Sequence, residues 1–250
     1  MIDVTVALPT WQNKNIIWLQ LESLCEQKTE YNWELIICEE QCEGMAGENY
    51  IIAYEDRLKK AGCENIEYIK LDDHIPLSKK WVIIANKAQG ATFLLCASDN
   101  YSPFNRIQFT QDKIKEGFEW VDISSGLFFN LITHQTGTFV NQPQQTGLFM
   151  GTLTKHIKDL KGPWPLKGID HWIRSQADIQ PRYRHDKPLL GIHTDGANKI
   201  SVHRKNFYAN KKYRKNFNTP NQEIENILSE DIIYKLKTLR SENALHINHI

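Results

Sequence analysis

An α/β domain with a mostly parallel sheet flanked by helices is the fold class that this 250-residue chain predicts. Two observations carry it. Short β-branched or apolar runs alternate with helix-spaced apolar residues over the first hundred positions, the pattern of strand-crossover-strand units. The apolar run Thr92 to Cys96 leads onto a carboxylate, Asp99, followed by Asn100, and ligand sites in open α/β sheets lie beyond the carboxyl ends of such strands. A hydrophobic content of 41% supplies a core for one large domain or two small ones.

Val4 to Leu8 is a β-branched strand closed by Pro9-Thr10, and Asn15 to Gln27 has helix-spaced Ile16, Ile17, Leu19, Leu21 and Leu24. Trp33 to Cys38 is a second buried strand, Tyr50 to Ala61 the next helix, and Ile66 to Leu71 a third strand. Leu77 to Gln89 is a third helix and Thr92 to Cys96 a fourth strand. The pattern then loosens. It predicts a helix over Asn105 to Glu116, a strand over Trp120 to Asn130, a polar loop over Asn141 to Gly147, and short helices over Thr152 to Leu160 and Ile169 to Ala177. Ile224, Ile227, Leu228, Ile232, Ile233, Leu236 and Leu239 mark a C-terminal amphipathic helix over Asn221 to Leu239 that packs on the domain. No repeat and no low-complexity linker interrupts the chain.

Composition narrows the function. The five cysteines are an odd number, and Cys25, Cys38 and Cys96 fall within apolar patterns, so they read as reduced core thiols. Cys38 and Cys42 lack a second Cys or His pair at zinc spacing. No apolar stretch approaches the ~20 residues that span a bilayer, and Met1-Ile2-Asp3 opens no signal peptide, so a soluble, intracellular, cytoplasmic protein is expected. The zero net charge hides a division: residues 1 to 125 carry 12 basic and 20 acidic residues, and residues 126 to 250 carry 18 and 10. His203 to Phe217, HRKNFYANKKYRKNF, holds six Lys or Arg and four aromatic residues without an acid. Cations for phosphate and rings for stacking suit nucleic acid, anionic lipid headgroups attract the same cations, and a solvated basic face is the plain alternative. No GxxxxGK[ST] loop is present, which counts against nucleotide hydrolysis.

Asp99 at a strand end is a hard oxygen ligand that suits Mg2+ or Mn2+, cations that combine one or two protein carboxylates with substrate phosphates and water. A polar turn of Ser98, Asp99 and Asn100 is the structural alternative.

The ordered set of segments resembles the GT-A glycosyltransferases, the large family 2 type in particular. VALPTWQNKNIIWLQLESLCEQ is similar to the family's strand, Pro-Thr turn and helix, and WELIICEE stands where its second strand ends in acids. LSKKWVIIANKAQGATFLLCASDN resembles the helix and strand leading into the DxD motif. LKGIDHWIRS resembles the later acidic motif with the catalytic base, and GIHTDGANKIS the segment with a late His, Asn and Ser. The likeness covers roughly residues 2 to 201. It implies a Rossmann-like GT-A domain over residues 1–202, with the basic-aromatic segment and terminal helix over 203–250 packed on it.

The resemblance implies transfer of a sugar from a nucleotide diphosphate, a UDP-sugar first, to an acceptor hydroxyl of a glycan or nucleic acid, with inversion. Such transfer needs charge neutralisation at the departing pyrophosphate, a nucleoside pocket and a general base. Pro9, Thr10 and Trp11, with Glu39 or Glu40, would surround the nucleoside; Lys80 and Asn86 lie in the segment that approaches the nucleotide, although a solvated helix face also accommodates a lysine. Asp99 matches the last Asp of DxD, flanked by Ser98 and Asn100 in the donor site. The chain departs from the motif at Ala97, where the first Asp is expected, and at Asn100. With one carboxylate left for Mn2+ or Mg2+, His193 is the candidate second ligand, though a surface or core role also suits it. Asp170 is the candidate general base, with an N-cap as its structural alternative; the Glu that precedes it in the family is Ile169 here. Lys211, Lys212, Arg214 and Lys215 would hold a polyanionic acceptor. The rival function is a non-catalytic nucleic-acid-binding protein on a degenerate GT-A scaffold.

Overall fold

The computed structural model of the protein describes residues 1–130, 136–140, 149–165, 169–177, 179–185, 192–195, 214–215 and 228–247. The first units are β1 (Val4–Thr10), α1 (Ile17–Cys25), β2 (Trp33–Glu40), α2 (Glu48–Ile52), α3 (Glu55–Lys60), β3 (Cys63–Leu71), α4 (Leu77–Lys87) and β4 (Thr92–Leu95). There follow β5 (Asn100–Tyr101), α5 (Arg106–Lys115), β6 (Trp120–Ile123), β7 (Ser125–Asn130), β8 (Thr136–Val140), β9 (Gly151–Leu153), α6 (Thr154–Lys158) and α7 (Ile169–Ala177). The last elements are β10 (Arg182–His185), β11 (Ile192–Asp195), β12 (Arg214–Lys215) and α8 (Glu230–Ile247).

The main sheet has seven strands in the order β10-β6-β9-β4-β1-β2-β3, all parallel to their neighbours except β9, which runs antiparallel to β4 and β6. β1 and β2 are buried along their whole length because helices cover both faces. Side chains alternate between those faces. Val4, Val6 and Leu8 of β1, with Trp33, Leu35 and Ile37 of β2, pack with Ile17, Leu21 and Leu24 of α1 and Leu58 of α3. Ala7, Ile36 and Cys38 face the other way, onto Trp81, Ile84 and Ala85 of α4 and Ile173 of α7. Each fully buried Leu or Ile here contributes about 1.5–3 kcal/mol.

A buried acid closes the opposite end of the sheet. Glu34, fully buried, accepts hydrogen bonds from Thr5 Oγ1 at 2.6 Å and Gln89 N at 2.7 Å. Gly90 follows at a place where a Cβ would stand 2.6 Å from the Thr5 nitrogen, so only glycine lets the chain enter β4 this close to β1.

A second sheet has five strands in the order β12-β8-β7-β11-β5. Tyr101, Leu127 and Phe129 of this sheet pack with Ile16 and Leu19 and with Leu228, Ile232 and Leu236 at and before α8.

Four expectations are revised. The helix over Tyr50 to Ala61 is interrupted at Ala53–Tyr54, where Tyr54 N bonds to Ile51 O three residues back and tightens the coil. The strand over Trp120 to Asn130 is two strands in two sheets: Ser124 gives both its N–H and its hydroxyl to the His185 carbonyl, at 2.8 and 2.9 Å, and the chain changes sheet there. Thr152 and Leu153 belong to β9, and the helix starts only at Thr154. The terminal helix runs to Ile247 rather than Leu239, and its described start has Ser229 Oγ accepting from Ile232 N at 3.4 Å, ahead of Glu230 and Asp231. Residues 141–147, 203–213 and 221–227 lie outside the described residues. All five cysteines are free, and it is Cys63, at the head of β3, that joins Cys38 and Cys96 as buried, while Cys25 is only half-buried.

Candidate functional site

The carboxyl ends of β1, β2 and β4 point to one edge of the sheet, and most of the donor-site candidates sit there. Glu39 and Glu40 are neighbours at the end of β2, so alternation sends them to opposite faces. Glu39, on the α2 side, accepts from Ala46 N and Gly47 N at 2.8 Å each and from the Tyr68 hydroxyl at 2.7 Å. Burial, together with that bond to Glu39, pushes the Tyr68 phenol above its usual range. Glu39 therefore holds a loop.

Glu40, on the α4 side, is 1% exposed and ion-paired with Lys80 at 2.7 Å; Ile75 N also donates to it at 3.1 Å, and His74 Nδ1 lies 2.6 Å away. Burial alone would raise its pKa, but Lys80, His74 and the Ile75 N–H together outweigh that and hold the carboxyl below its ordinary value. Lys80 also donates to the Thr10 carbonyl at 2.9 Å, so its ammonium ties β1 to β2. The Trp11 ring stands 4.5 Å from the His74 ring, tilted by 38°. Trp11, Thr10, Glu40, Lys80 and His74 thus form one group. Pro9, buried in register with Cys38, precedes them. Thr10 Oγ1 is buried and has no hydrogen-bond partner among the described residues.

The turn after β4 is fixed by Cys96 N donating to Ala7 O at 2.9 Å and by Asn13 Nδ2 donating to the buried Ser98 hydroxyl at 2.5 Å. Asn13 also receives Ile16 N and Ile17 N on its carbonyl, at 3.0 and 2.9 Å, so the loop from β1 to α1 and the turn bearing Asp99 are one structure. Asp99 is half-buried and Asn100 buried. β5 pairs antiparallel with β11, placing Asn100 opposite His193. The backbone of His193 is in this way brought to the residue next to Asp99. No group of three His, Cys, Asp or Glu side chains that holds a metal occurs among the described residues.

Asp170 is the second residue of α7. Ser78, in the first turn of α4, donates to the Pro165 carbonyl at 3.3 Å, and Ile173 is buried in the cluster with Trp81. Pro165, four residues ahead of α7, is thus held at the first turn of α4, and α7 packs on the α4 side of the sheet through Ile173. Asn86 is not brought to the strand-end edge. It is exposed in the last turn of α4, about 9 Å along the helix axis from Lys80. Lys211 and Lys212 lie outside the described residues, and Arg214 and Lys215 form β12, paired with Phe139 and Thr138 of β8.

Three residues of this edge carry no local sequence signal. Asn13 and His74 sit in polar stretches, and Arg106, at the start of α5, looks like a helix-surface cation; its guanidinium is buried and donates to the Leu95 carbonyl at 2.9 Å and the Ser102 hydroxyl at 2.8 Å. Only their contacts in the folded chain mark them.

No helix among the described residues is long and apolar enough to cross a membrane. No protein-family model and no curated protein sequence matches the chain. Solved structures do. S. aureus TarS superposes with a TM-score of 0.61 at 15% identity, over 77% of this chain and 37% of that one. TarS 1-349 in complex with UDP-GlcNAc gives 0.56 at 14%, over 77% and 58%. The mannosyltransferase PcManGT from Pyrobaculum calidifontis, in complex with GDP-Man and Mn2+, gives 0.53 at 13%, over 80% and 58%. The chain spans less than two thirds of the length of these proteins. The fold is that of the GT-A glycosyltransferases.

Proposed function

We propose that the protein transfers a sugar from a nucleoside diphosphate, with UDP the first candidate, to an acceptor hydroxyl. The observation that carries this is the buried Thr10–Lys80–Glu40 network under Trp11 and His74, with the Asp99 turn beside it, on the strand-end edge of a GT-A sheet. The orphaned Thr10 hydroxyl supports a ligand at this edge, because a buried polar atom without a partner costs about 1–3 kcal/mol. Trp11 and His74 offer ring faces to a base. Glu39 and Lys80 act by holding the loops and strands that shape the pocket.

A divalent cation that keeps most of its positions for phosphate and water would be held by Asp99, with His193, whose backbone pairs with the neighbouring Asn100, as the candidate second ligand. When bound, such a cation neutralises charge on the departing pyrophosphate. The bond between the anomeric carbon and the phosphate oxygen breaks, the acceptor oxygen forms the new bond from the opposite face, and its proton passes to the Asp170 carboxylate. A glycan or nucleic-acid acceptor suits the basic run that includes Lys211, Lys212, Arg214 and Lys215.

Hydrolysis of a panel of UDP- and GDP-sugars, followed with and without Mn2+, tests the proposal. Release of the nucleotide from one donor, stimulated by Mn2+, is the expected result. No hydrolysis and no binding of any nucleotide, together with a salt-dependent shift on duplex DNA, would favour a nucleic-acid binder on this scaffold.

A further inference from the structure

Arg106 is 2% exposed, and among the described residues none of its partners is a carboxylate. Its guanidinium donates to the Leu95 carbonyl at 2.9 Å, the Cys96 sulfur at 3.2 Å and the Ser102 hydroxyl at 2.8 Å, and reaches the Met150 carbonyl at 3.5 Å. The Phe149 ring centroid lies 5.0 Å from it. Among the described residues its Nε has no hydrogen-bond acceptor. Burial lowers its pKa from the usual guanidinium value, with Cys96 acting in the opposite sense, yet an arginine stays charged in proteins. A buried cation with no carboxylate partner among the described residues costs stability that an apolar side chain filling the space would not.

The arrangement of its partners explains its presence. Leu95 and Cys96 are the last residues before the turn that carries Ser98, Asp99 and Asn100; Ser102 is the first residue after β5. One planar fork therefore spans the turn from entry to exit. Ser102 also accepts from Gln20 Nε2 at 3.0 Å, and Gln27 Nε2 donates to Pro103 O at 2.7 Å, so α1 and the residues just after it brace the exit from the other side. Met150 O, which Arg106 reaches, already accepts from Leu95 N at 2.9 Å, and that bond ties the segment entering β9 to the same strand end.

We infer that Arg106 is a positioning residue for donor binding: it holds both ends of the Asp99 turn, so that a nucleoside diphosphate and its cation meet a turn already in place. This rests on the proposal that Asp99 is the donor-site carboxylate. Lysine keeps the charge but not the fork, so it supplies one anchor where arginine supplies several.

The test is calorimetric titration of UDP and of GDP into the full chain, with and without Mn2+, for wild type, Arg106→Met, Arg106→Lys and Asp99→Ala, each checked by urea unfolding. Residues that orient a metal ligand from behind typically contribute about 10–100-fold to metal affinity. Arg106→Met is expected to lose Mn2+-dependent nucleotide affinity by that factor, Arg106→Lys by less, and metal-free affinity is expected to hold in both. If Arg106→Met does not fold, Arg106→Lys decides. Mn2+-dependent affinity unchanged in the folded Arg106 variants but lost in Asp99→Ala overturns the positioning role and leaves the donor site standing. Wild-type affinity retained in Asp99→Ala, or no nucleotide binding by the wild type, overturns both.

Discussion

Lys80 and Glu40 meet at 2.7 Å with both side chains buried, so one ion pair joins the end of β2 to the first turn of α4, and the same ammonium reaches across to the carbonyl of Thr10. Removing one member leaves the other charged and buried. Lys80→Met is expected to cost about 3–5 kcal/mol of stability, and adding Glu40→Gln should recover part of it. Urea unfolding of the two single variants and the double variant measures this, and equal losses in Lys80→Met and the double variant would remove the coupling.

The sign of the pH effect follows from the lowered pKa of Glu40. A depressed carboxyl contributes stability that is present above its unfolded pKa of about 4.3 and lost as pH falls through the folded value. The stability gap between wild type and Glu40→Gln should therefore be largest near neutral pH and shrink below about pH 4. A gap that widens in acid would contradict the assignment.

Asp99→Ala and Asp170→Asn separate donor binding from chemistry. Asp99→Ala should lower kcat/KM by about 100-fold or more and abolish Mn2+ stimulation, with the fold intact. Asp170→Asn should lower kcat by about 100- to 10,000-fold and leave donor Kd unchanged. A raised donor Kd at unchanged kcat would move Asp170 to a binding role.

Gly151 tests the sheet rather than the site. A Cβ there would lie 2.3 Å from Thr110 Cγ2, because α5 crosses β9 at that point. Gly151→Ala is expected to destabilise by about 1–3 kcal/mol, and Thr110→Ser, which deletes that methyl, should relieve most of it. Thermal unfolding of a double-mutant cycle gives the coupling directly.

The basic run makes a separate prediction. Changing Lys211, Lys212, Arg214 and Lys215 together to Gln should weaken binding of a polyanionic acceptor at low salt and flatten its salt dependence, since fewer counterions are released. Donor hydrolysis should stay constant. DNA, RNA and anionic vesicles are the probes; unchanged binding of all three across a salt titration would leave the run a solvated surface.

Much of the first hundred residues was legible because strands covered on both faces read as largely apolar runs, as VTVAL and WELIIC do, interrupted only by Thr5 and Glu34, which bond to each other. β9 escaped because three residues are too few for any period, and its place between β4 and β6 is set by pairing with distant strands. The split of β6 from β7 hangs on Ser124 and a carbonyl 61 residues away. At the candidate site, Thr10, Trp11, Glu40 and the Asp99 turn were expected from their position at strand ends and Lys80 from the resemblance, while Glu39 and Glu40 were inseparable until the faces of β2 were assigned. Asn13 was invisible because its Ser98 partner is 85 residues away, and Arg106 because its partners, the Leu95 carbonyl, the Cys96 sulfur and the Ser102 hydroxyl, form no charge pattern that a sequence displays. Ser229-Glu230-Asp231 was a helix-start signal in plain view, masked by apolar spacing that began earlier.

β5 is only two residues long, yet it is where the second sheet begins, directly after Asp99. The segment that terminates β4 also supplies the edge onto which β11 adds. Amide exchange in such a junction should follow the weaker of its two neighbours. If the five-stranded sheet opens as its own cooperative unit, Asn100 and Tyr101 will exchange with β11 and α8 while β1, β2 and β4 stay protected, and the Asp99 turn will come and go with the chain's C-terminal half.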